Sequence, residues 1–392
     1  MKKIMILGAG IYQVPLIKQA KKMGLHTIVV SYPGNYPGFK YADEIENIDI
    51  RDQDKVLAAA KKHNINGICT SGSDVGVKSI GFVNDILGLN GVSYASAQLA
   101  SNKYYMKKAF QKNNVKTPKG YKVSNIDEAI NAFYELGKDT IFKTVDSSGN
   151  RGIFHIKDPV MIEKAFQDSL FYSKCSYILV EEFLAGTEIG AEAFIQNGKI
   201  TFILPHNKII IEKNSPIPIG QWVPIESNVK LIMEIEHQVN KAINALNINN
   251  SAVNTDIILH NDGAYIVEIG ARAGGGACLP ESVSLYYGFN HYENIIKTAL
   301  SEIIDFKFKS PTPNACQMLI SNKKGKIKKI DYSKVNDPDL VYLSFDYKEG
   351  EIVPEFTNKT DRIGHIIVKG KSAEEAKEKL QGLIEQIEII LE

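Results

Sequence analysis

Short apolar runs alternate with amphipathic stretches from the amino terminus to about residue 90. The runs KIMILGA, HTIVVS and INGICT are typical of buried strands, and DEIENI carries a shorter one. Helical spacing follows the first run as far as Met23, covers DQDKVLAAAKKH, and begins again near Val75. Strands that alternate with helices predict a parallel sheet with crossover helices. We therefore expect an α/β domain with a parallel sheet at the start of the chain.

The following stretches predict a change to mixed and antiparallel structure. Residues 121–175 have the pattern of a compact α+β module, in which a glycine loop joins the strands DTIFKTV and GIFHI. Long alternating runs come next, interrupted by one helical stretch over 228–246. The pairs Asn-Gly in QNGK and Asp-Gly in HNDG favour hairpin turns between these runs. The tail SAEEAKEKLQGLIEQIEIIL has apolar positions at helical spacing and predicts one long helix.

The turn after the first run resembles the start of a dinucleotide-binding fold. Gly8 and Gly10 would form the tight turn between strand and helix, but Gln13 stands where that motif needs glycine or alanine. The second run ends in Ser31 and Tyr32, so it lacks the acidic residue that would hold a ribose. These departures argue against a nicotinamide-dependent oxidoreductase. They leave a tight turn that opens an α/β domain.

Ligands of parallel sheets bind at the carboxyl ends of the strands. Here those ends fall at 8–13, 31–38 and 70–74, in loops rich in glycine, serine and tyrosine. Such residues are also common in ordinary turns, so each loop alone is a weak signal. The candidates for substrate contacts in these loops are Gly10, Tyr12, Gln13, Ser73 and Asp74.

Charge and composition exclude several classes of function. The chain has 46 Lys and Arg against 45 Asp and Glu, a net charge of +1, so it lacks the field that would attract nucleic acid or an anionic membrane. No apolar run approaches the roughly 20 residues of a membrane span, and no secretory signal precedes the first strand. The four cysteines lie far apart, without the spacing of a metal site. Core thiols in a reducing compartment are the expected interpretation of these cysteines, so we expect a cytoplasmic protein.

A lysine followed by a glycine-rich loop is the first candidate site. Lys143 lies on a predicted strand, and the loop over 146–152 contains small residues and Arg151. Small residues let backbone N–H groups approach an anion closely, and two cations would flank it. A strand follows the loop, so it differs from the phosphate loop that ends in Gly-Lys-Ser/Thr and opens a helix. The pattern predicts a phosphate clamp, with an ordinary hairpin as the alternative.

The segment ILVEEFLAGTE is the second candidate site. Glu181 and Glu182 interrupt an apolar run, and Glu188 follows seven residues after Glu181. A strand end can offer main-chain N–H and C=O groups to an adenine edge, and a carboxylate further along can accept hydrogen bonds from ribose hydroxyls. Since surface glutamates are common, this segment alone is weak.

The segment VNTDIILHNDGAYIVEIGARAGGG carries the strongest chemical signal. Asp256 and Glu268 lie in apolar runs on either side of a predicted turn, where a carboxylate is rare unless it is paired or binds a metal. A hairpin can bring both side chains to one face, and carboxylate oxygens are ligands that Mg²⁺ prefers. Arg272 follows, before three glycines, and could steady a transferred phosphoryl group. The alternative is a buried Glu–Arg pair.

In this order, the three segments resemble the ATP-grasp family, and the resemblance extends from the first strand to the tail TDRIGHIIVKGKSAEEAKEKL. It implies an N-terminal parallel α/β domain over 1–100, an ATP-grasp domain over 101–305 and a C-terminal α+β segment over 306–392. A mobile lid would cover about 117–176. The implied fold class is therefore α/β followed by α+β subdomains.

The resemblance also implies roles for individual residues. Asp256 and Glu268 would bind Mg²⁺, or Mn²⁺ in its place. Arg272 and Lys143 would be catalytic, with Arg272 stabilising an acyl phosphate. The implied nucleotide contacts are Lys103 and Lys143 at the phosphates or adenine, the loop residues Ser147, Ser148, Gly149, Arg151 and Gly152 over the phosphates, Glu181, Glu182 and Leu184 at adenine, and Glu188 at the ribose.

Two positions depart from the family pattern. Thr144 stands where a proline usually follows the second lysine. Gly270 stands where the motif Glu-x-Asn-x-Arg has an asparagine that would bind a second metal ion. A second Mg²⁺ would therefore depend on carboxylates and water alone.

The implied reaction is ATP-dependent ligation of a small-molecule carboxylate to an amine. A substrate carboxylate, with amino acids among the candidates, would take the γ-phosphate of ATP as an acyl phosphate. An amine would then displace phosphate, so that an amide, ADP and phosphate result. Two alternatives stay open: a bicarbonate-activating carboxylase of the purine or biotin type, with Arg362 as a substrate contact, and a non-catalytic ATP-binding protein, which Gly270 would favour. The resemblance also leaves a homodimer open.

Overall fold

The N-terminal part forms a parallel sheet, as the alternating pattern predicts. The computed structural model of the protein describes residues 1–147, 149, 151–211, 216–261, 263–304 and 306–392. The first elements are β1 (Lys3–Leu7), α1 (Val14–Lys22), β2 (His26–Ser31), β3 (Glu44–Asn47), α2 (Gln53–His63), β4 (Gly67–Cys69), α3 (Val77–Leu87) and α4 (Tyr94–Ala100). The strands pair in parallel in the order β3-β2-β1-β4, and the apolar side chains of β1, β2 and β4 are buried under the helices. The predicted α/β start of the chain is therefore confirmed.

A compact α+β module follows, joined to the first sheet by α5 (Lys103–Lys112). Its elements are β5 (Gly120–Val123), α6 (Ile126–Glu135), β6 (Thr140–Lys143), β7 (Ile153–Ile156), α7 (Ile162–Tyr172) and β8 (Ile178–Glu182). The strands pair antiparallel in the order β5-β8-β6-β7. The two helices cover one face, and Phe133, Phe142 and Val180 lie in the core between the layers.

A large antiparallel sheet forms the centre of the remaining chain. Its elements and their connections are β9 (Thr187–Gln196), β10 (Lys199–Ile211), β11 (Ile217–Val223), α8 (Val229–Ala245), β12 (Ser251–His260), β13 (Gly263–Gly270), α9 (Leu279–Tyr287), α10 (His291–Ala299) and β14 (Asn314–Leu319). Asn197 and Gly198 both have positive φ, so the Asn-Gly turn between β9 and β10 is of the predicted hairpin kind.

The C-terminal segment completes this sheet and adds a small one. Its elements are β15 (Gly325–Asp331), β16 (Leu340–Phe345), β17 (Ile352–Val353), β18 (Gly364–Lys369), α11 (Ala373–Ile384) and β19 (Glu388–Leu391). The large sheet runs β13-β12-β9-β10-β11-β14-β18-β16, and the small one runs β17-β15-β19. Because β14, β16 and β18 belong to the large sheet, that sheet continues across residue 306. Short 3₁₀ turns lie at Phe39–Tyr41, Pro159–Met161, Gly276–Cys278 and Lys359–Asp361.

The predicted long helix at the tail is wrong in its last part. The helix α11 ends at Ile384, and β19 pairs antiparallel with β15. Along β19 the half-buried side chains are Ile389 and Leu391, at a spacing of two, and both pack on the C-terminal core. Pairing with a distant strand therefore outweighs the helical spacing of the same apolar residues. No described helix is long and apolar enough to cross a membrane.

Close contact between two glycines joins the first sheet to the large one. The amide of Gly72, just after β4, donates a hydrogen bond to the carbonyl of Ala273, just after β13. A Cβ on Gly275 would lie 2.4 Å from the Cα of Gly72, a distance that side-chain atoms do not reach. The backbones approach this closely only because both residues lack a side chain. This contact brings the carboxyl edge of the parallel sheet against the segment that follows β13.

Replacing Gly275 by alanine tests this contact. We expect Gly275→Ala to lower the free energy of unfolding by about 1–3 kcal/mol, because the added methyl group forces two backbones apart. The matched control is Gly276→Ala, since a Cβ there would have nothing closer than 3.7 Å. The control should stay within about 0.5 kcal/mol of the wild type. Urea unfolding measures both, and equal stabilities of the two variants would contradict the assigned contact.

Candidate active site

The hairpin of β12 and β13 places two carboxylates opposite each other. Asp256 pairs with Glu268 in the antiparallel register, and the register shifts just after Asp256. Directly opposite residues of neighbouring antiparallel strands share one face of the sheet. The structure therefore brings together the two carboxylates that the sequence singles out as metal ligands.

Each of these carboxylates is held by a lysine. Lys208 of β10 lies 2.6 Å from Asp256 and 2.6 Å from Glu188, and its own side chain is buried. Burial opposes the charge of Asp256, but Lys208 outweighs burial and lowers the pKa of the carboxyl to about 2. Sequence reasoning missed Lys208, although a lysine inside the apolar run of β10 is a usable signal, since lysine is almost never buried unpaired.

Lys103 neutralises the second carboxylate. Its Nζ lies 2.9 Å from Glu268 and donates a hydrogen bond to the carbonyl of Ser147 at 2.8 Å. The side chain of Asn102 caps α5 by accepting from the amides of Tyr104 and Tyr105, so the helix begins at Lys103 and presents it to the sheet. Lys103 thus links the hairpin to the predicted phosphate loop.

The other predicted nucleotide lysine lies in a buried triad. Glu181 is buried between Lys107, at 2.6 Å, and Lys143, and all three side chains are almost inaccessible. Burial disfavours a charged Glu181, but the two lysines outweigh it and hold the pKa of that carboxyl below its usual range. The strand end itself is half-buried at Glu182 and Leu184, and Glu182 accepts a hydrogen bond from the amide of Lys119.

The glycine loop between β6 and β7 contains two residues with left-handed backbone conformations. Gly149 and Gly152 both have positive φ, which glycine adopts without strain. The amide of Thr144 donates to the carbonyl of Gly152, a bond that the proline usual at this position could not make. Arg151 lies exposed in the loop, while Ser148 and Asn150 lie outside the described residues.

Arg272 pairs with an aspartate from the first sheet. Its guanidinium lies 2.6 Å from Asp74, whereas Glu268 is held by Lys103, so the alternative of a Glu–Arg pair within the hairpin is wrong. Gly270 makes room for this pair, because a Cβ there would lie 2.7 Å from Asp74 Oδ1. The departure at Gly270 therefore has a steric reason in this chain.

A cavity of about 130 Å³ lies between the sheet face and the glycine run after β13. Its charged lining residues are Glu188, Lys208, Asp256 and Lys359, and its floor includes Gly274, Gly275 and Gly276. His206 also lines it, and burial together with Lys208 lowers the pKa of that imidazole to about 4. The cavity therefore brings two carboxylates of the sheet together with a lysine of the sheet, Lys208, and a lysine of the C-terminal segment, Lys359.

The opening turn lies beside this region. Gln13 is buried, accepts from the amide of Gly10 and donates to the carbonyl of Ser71, so its amide ties the turn to the loop after β4. The phenol of Tyr12 donates to the carbonyl of Lys359 at 2.6 Å. Ser73 is half-buried in the same loop as Asp74.

Arg362 stacks over the ring of Tyr12 and is held by Asp346. Its guanidinium carbon lies 5.5 Å from the centre of the ring, and its Nε donates to Asp346 at 2.8 Å. Arg362 therefore joins the C-terminal segment to the opening turn.

Removing the carboxylate of the buried triad tests how much the triad contributes to the free energy of unfolding. We expect Glu181→Gln to lower the free energy of unfolding by about 3 kcal/mol at neutral pH, because Lys107 and Lys143 lose their counter-charge. The folded-state pKa of Glu181 lies below the ordinary value of 4.5, so this contribution is present above about pH 4.5 and is lost as the pH falls through the folded-state pKa.

The control is the neighbouring Glu182→Gln, which keeps an oxygen for the amide of Lys119 and should change stability by less than about 0.5 kcal/mol. Urea unfolding at pH 7 and at pH 4 measures both variants. An equal loss at the two positions, or a loss that grows in acid, would contradict the triad.

Comparison with known proteins identifies the fold and the family. A model described as an ATP-grasp domain matches residues 100–276, and one described as L-amino acid ligase C-terminal domain 2 matches residues 317–392. The crystal structure of phosphoribosylglycinamide synthetase from Anaerococcus prevotii is 35% identical, with a TM-score of 0.85 and 100% coverage of both chains. That of L-amino acid ligase from Bacillus licheniformis is 18% identical, with a TM-score of 0.82 and coverage of 100% of this chain and 99% of the other.

A curated relative agrees with this result. The formate-dependent phosphoribosylglycinamide formyltransferase of Prochlorococcus marinus (strain MIT 9515) is 25% identical over 265 residues, which cover 63% of this chain and 64% of that protein. The chain therefore spans less than two thirds of the length of this relative. The match at 35% identity, by contrast, runs over the full length of both chains. The chain belongs to the ATP-grasp family of ligases.

Proposed function

We propose that this chain is an ATP-dependent ligase that joins a small-molecule carboxylate, such as that of an amino acid, to an amine through an acyl phosphate. The observation that carries the proposal is the pair Asp256 and Glu268, which lie opposite each other on one face, each beside a lysine and near Arg272. The match of residues 317–392 to an L-amino acid ligase domain supports amino acids as the substrate class.

The residues at the hairpin fit Mg²⁺, and Mn²⁺ by the same donor set. Magnesium is usually bound by one or two carboxylates together with substrate phosphates, and it needs no cage of protein ligands. In agreement with this, no group of three or more acidic, histidine or cysteine side chains that could hold a metal occurs in the described ranges. Asp256 and Glu268 would hold the ion, which would neutralise phosphate charge when bound.

The lysines would bind the nucleotide. Lys103 and Lys208 supply positive charge at the two carboxylates, and their ammonium groups lie where phosphate oxygens could replace the carboxylates as partners. Lys143 and the loop that contains Gly149 and Gly152 would contact the phosphates from the other side. Glu188 would accept from the ribose hydroxyls, and the strand end at Glu182 and Leu184 would meet the adenine.

The chemical steps follow from this placement. A carboxylate oxygen of the substrate attacks the γ-phosphorus of ATP, and the bond from phosphorus to the bridging oxygen breaks as ADP leaves. The amine nitrogen then attacks the acyl carbon, loses a proton, and displaces phosphate. Arg272 would stabilise the negative charge of the acyl phosphate. Closure of the lid over about 117–176 would exclude water, which would otherwise hydrolyse the intermediate.

An assay of ADP release tests the reaction class. We expect ADP release to depend on an added amino acid and hydroxylamine to trap an acyl hydroxamate, because the acyl phosphate is the common intermediate. Each of the twenty L-amino acids is supplied alone and in pairs with Mg²⁺ and ATP. Turnover that needs bicarbonate alone would contradict the proposal in favour of a carboxylase. Tight ATP binding without turnover would contradict it in favour of a non-catalytic protein.

Two substitutions test the assigned residues. We expect Glu268→Gln and Arg272→Ala to lower kcat by about a thousandfold, because each removes a charge that acts on the transferring phosphoryl group. The matched controls are Glu351→Gln and Arg51→Ala, both at exposed positions away from the cavity. Far-UV circular dichroism checks that the variants fold. Near-normal turnover in either site variant would refute its assignment.

A further inference from the structure

Lys359 reaches the cavity from the C-terminal segment. It lies in the 3₁₀ turn Lys359–Asp361 and lines the cavity together with Asp256 and Lys208. Its Nζ lies close to Gly276, where a Cβ would be 3.7 Å from it. Lys359 is half-buried.

Of the two lysines that line this cavity, Lys359 is the one without an ion-pair partner in the part of the chain that the structure describes. Lys208 forms ion pairs with both Glu188 and Asp256, and Arg272 forms an ion pair with Asp74. Among the described residues, the ammonium group of Lys359 has no carboxylate within ion-pair distance and no hydrogen-bond acceptor. Burial lowers the pKa of this lysine, while Asp256 at longer range pulls it back up. A partly buried ammonium without a partner costs free energy, and an anionic ligand would remove that cost.

The turn that carries Lys359 is fixed from two sides. Asn358 and Asp361 form a capping box around the turn. The phenol of Tyr12 donates to the carbonyl of Lys359, and Arg362 stacks on the ring of Tyr12. The main chain of Lys359 is therefore held against the first domain, so that its side chain enters the cavity from a fixed position.

The location places Lys359 where the small-molecule substrate would meet the nucleotide. Glu188, Lys208 and Asp256, which carry proposed contacts to the ribose, the phosphates and the metal, line this cavity, whereas Lys103 and Lys143 do not. The cavity therefore adjoins the proposed nucleotide site. The turn with Lys359 contacts the opening turn of the first domain through Tyr12. The cavity also has room for several water-sized groups, at about 130 Å³.

We propose that Lys359 binds a carboxylate of the small-molecule substrate in this cavity and that Tyr12 positions it. The inference rests on the proposed ligase function for the identity of the substrate. The carboxylate is either the one that becomes activated or a second one on the amine substrate, and both would be recognised by the same lysine.

Binding and turnover of Lys359 variants test the inference. The twenty L-amino acids are titrated by thermal shift in the presence of Mg²⁺ and a non-hydrolysable ATP analogue. We expect Lys359→Met to weaken binding of the amino acid that stabilises the wild type by about tenfold, with the affinity for the ATP analogue unchanged. Lys359→Arg should restore most of the affinity. The control Lys371→Met, at an exposed position of the same segment, should behave like the wild type.

Blocked derivatives of that amino acid identify which carboxylate is bound. The N-acetyl derivative keeps the carboxylate and can only be activated, whereas the carboxamide keeps the amine and can only accept. A loss confined to the N-acetyl derivative assigns Lys359 to the activated carboxylate. If Lys359→Met weakens binding of the free amino acid but leaves binding of the N-acetyl derivative unchanged, the contact is to the carboxylate of the amine substrate.

Tyr12→Phe tests the positioning role. It keeps the ring under Arg362 and removes the hydrogen bond to the carbonyl of Lys359. We expect the KM of the carboxylate substrate to rise about fivefold at unchanged kcat and unchanged melting temperature. A lower melting temperature with an unchanged KM would instead assign Tyr12 a structural role alone.

The failure of this inference differs from failure of the ligase function. Ligation by the wild type with no effect of Lys359→Met on any amino acid, or with a loss only in ATP affinity, would overturn the inference and leave the function intact. Absence of ligation together with amino-acid binding that depends on Lys359 would refute the ligase function and leave the role of Lys359 in binding intact. If no amino acid stabilises the wild type, the inference is refuted as well.

Discussion

Neutralising two carboxylates inside an antiparallel sheet is the constraint on which the rest of the structure depends. Asp256 and Glu268 lie opposite each other on β12 and β13, and two like charges at directly opposite positions repel each other unless cations neutralise them. Lys208 comes from the same sheet, but Lys103 comes from α5, the helix that leads into the α+β module. Lys103 also donates a hydrogen bond to the carbonyl of Ser147. The lysine that neutralises Glu268 therefore also connects the hairpin to that module.

A second ion pair fixes the first domain against the same hairpin. Arg272 meets Asp74 at the carboxyl edge of the parallel sheet, and Gly270 leaves the space that the pair occupies. The close contact of Gly72 with Gly275 holds the two backbones at the distance that this pair needs. Asp74, Lys103 and Arg272, which are far apart in the chain, are thus held beside the same hairpin. The proposed ligation would need such convergence, because the nucleotide, the carboxylate and the amine would have to meet away from water.

Much of the fold could be predicted because its signals are local. Alternation of strands and helices, the Asn-Gly turn, and the two carboxylates around a hairpin are all visible within short windows of sequence. Lys359 gives no such signal, because it lies in a polar turn. Its place in the cavity becomes visible only when the fold brings it together with Asp256 and Lys208, which are far away in the chain. The steric reason for Gly270 is also invisible in the sequence, because Asp74, which a side chain at this position would meet, is far away in the chain. The prediction that the tail helix continues to the end of the chain is wrong, because pairing of β19 with β15 outweighs the helical spacing of the apolar residues.

Transfer of labelled oxygen tests the central claim most directly. A substrate carboxylate labelled with oxygen-18 is incubated with the protein, Mg²⁺, ATP and the amine, and the inorganic phosphate is analysed by mass spectrometry. The account predicts one labelled oxygen in each phosphate released, because the carboxylate oxygen that attacks the γ-phosphorus leaves with the phosphate when the amide forms. Unlabelled phosphate, or release of AMP and pyrophosphate in its place, would contradict the account.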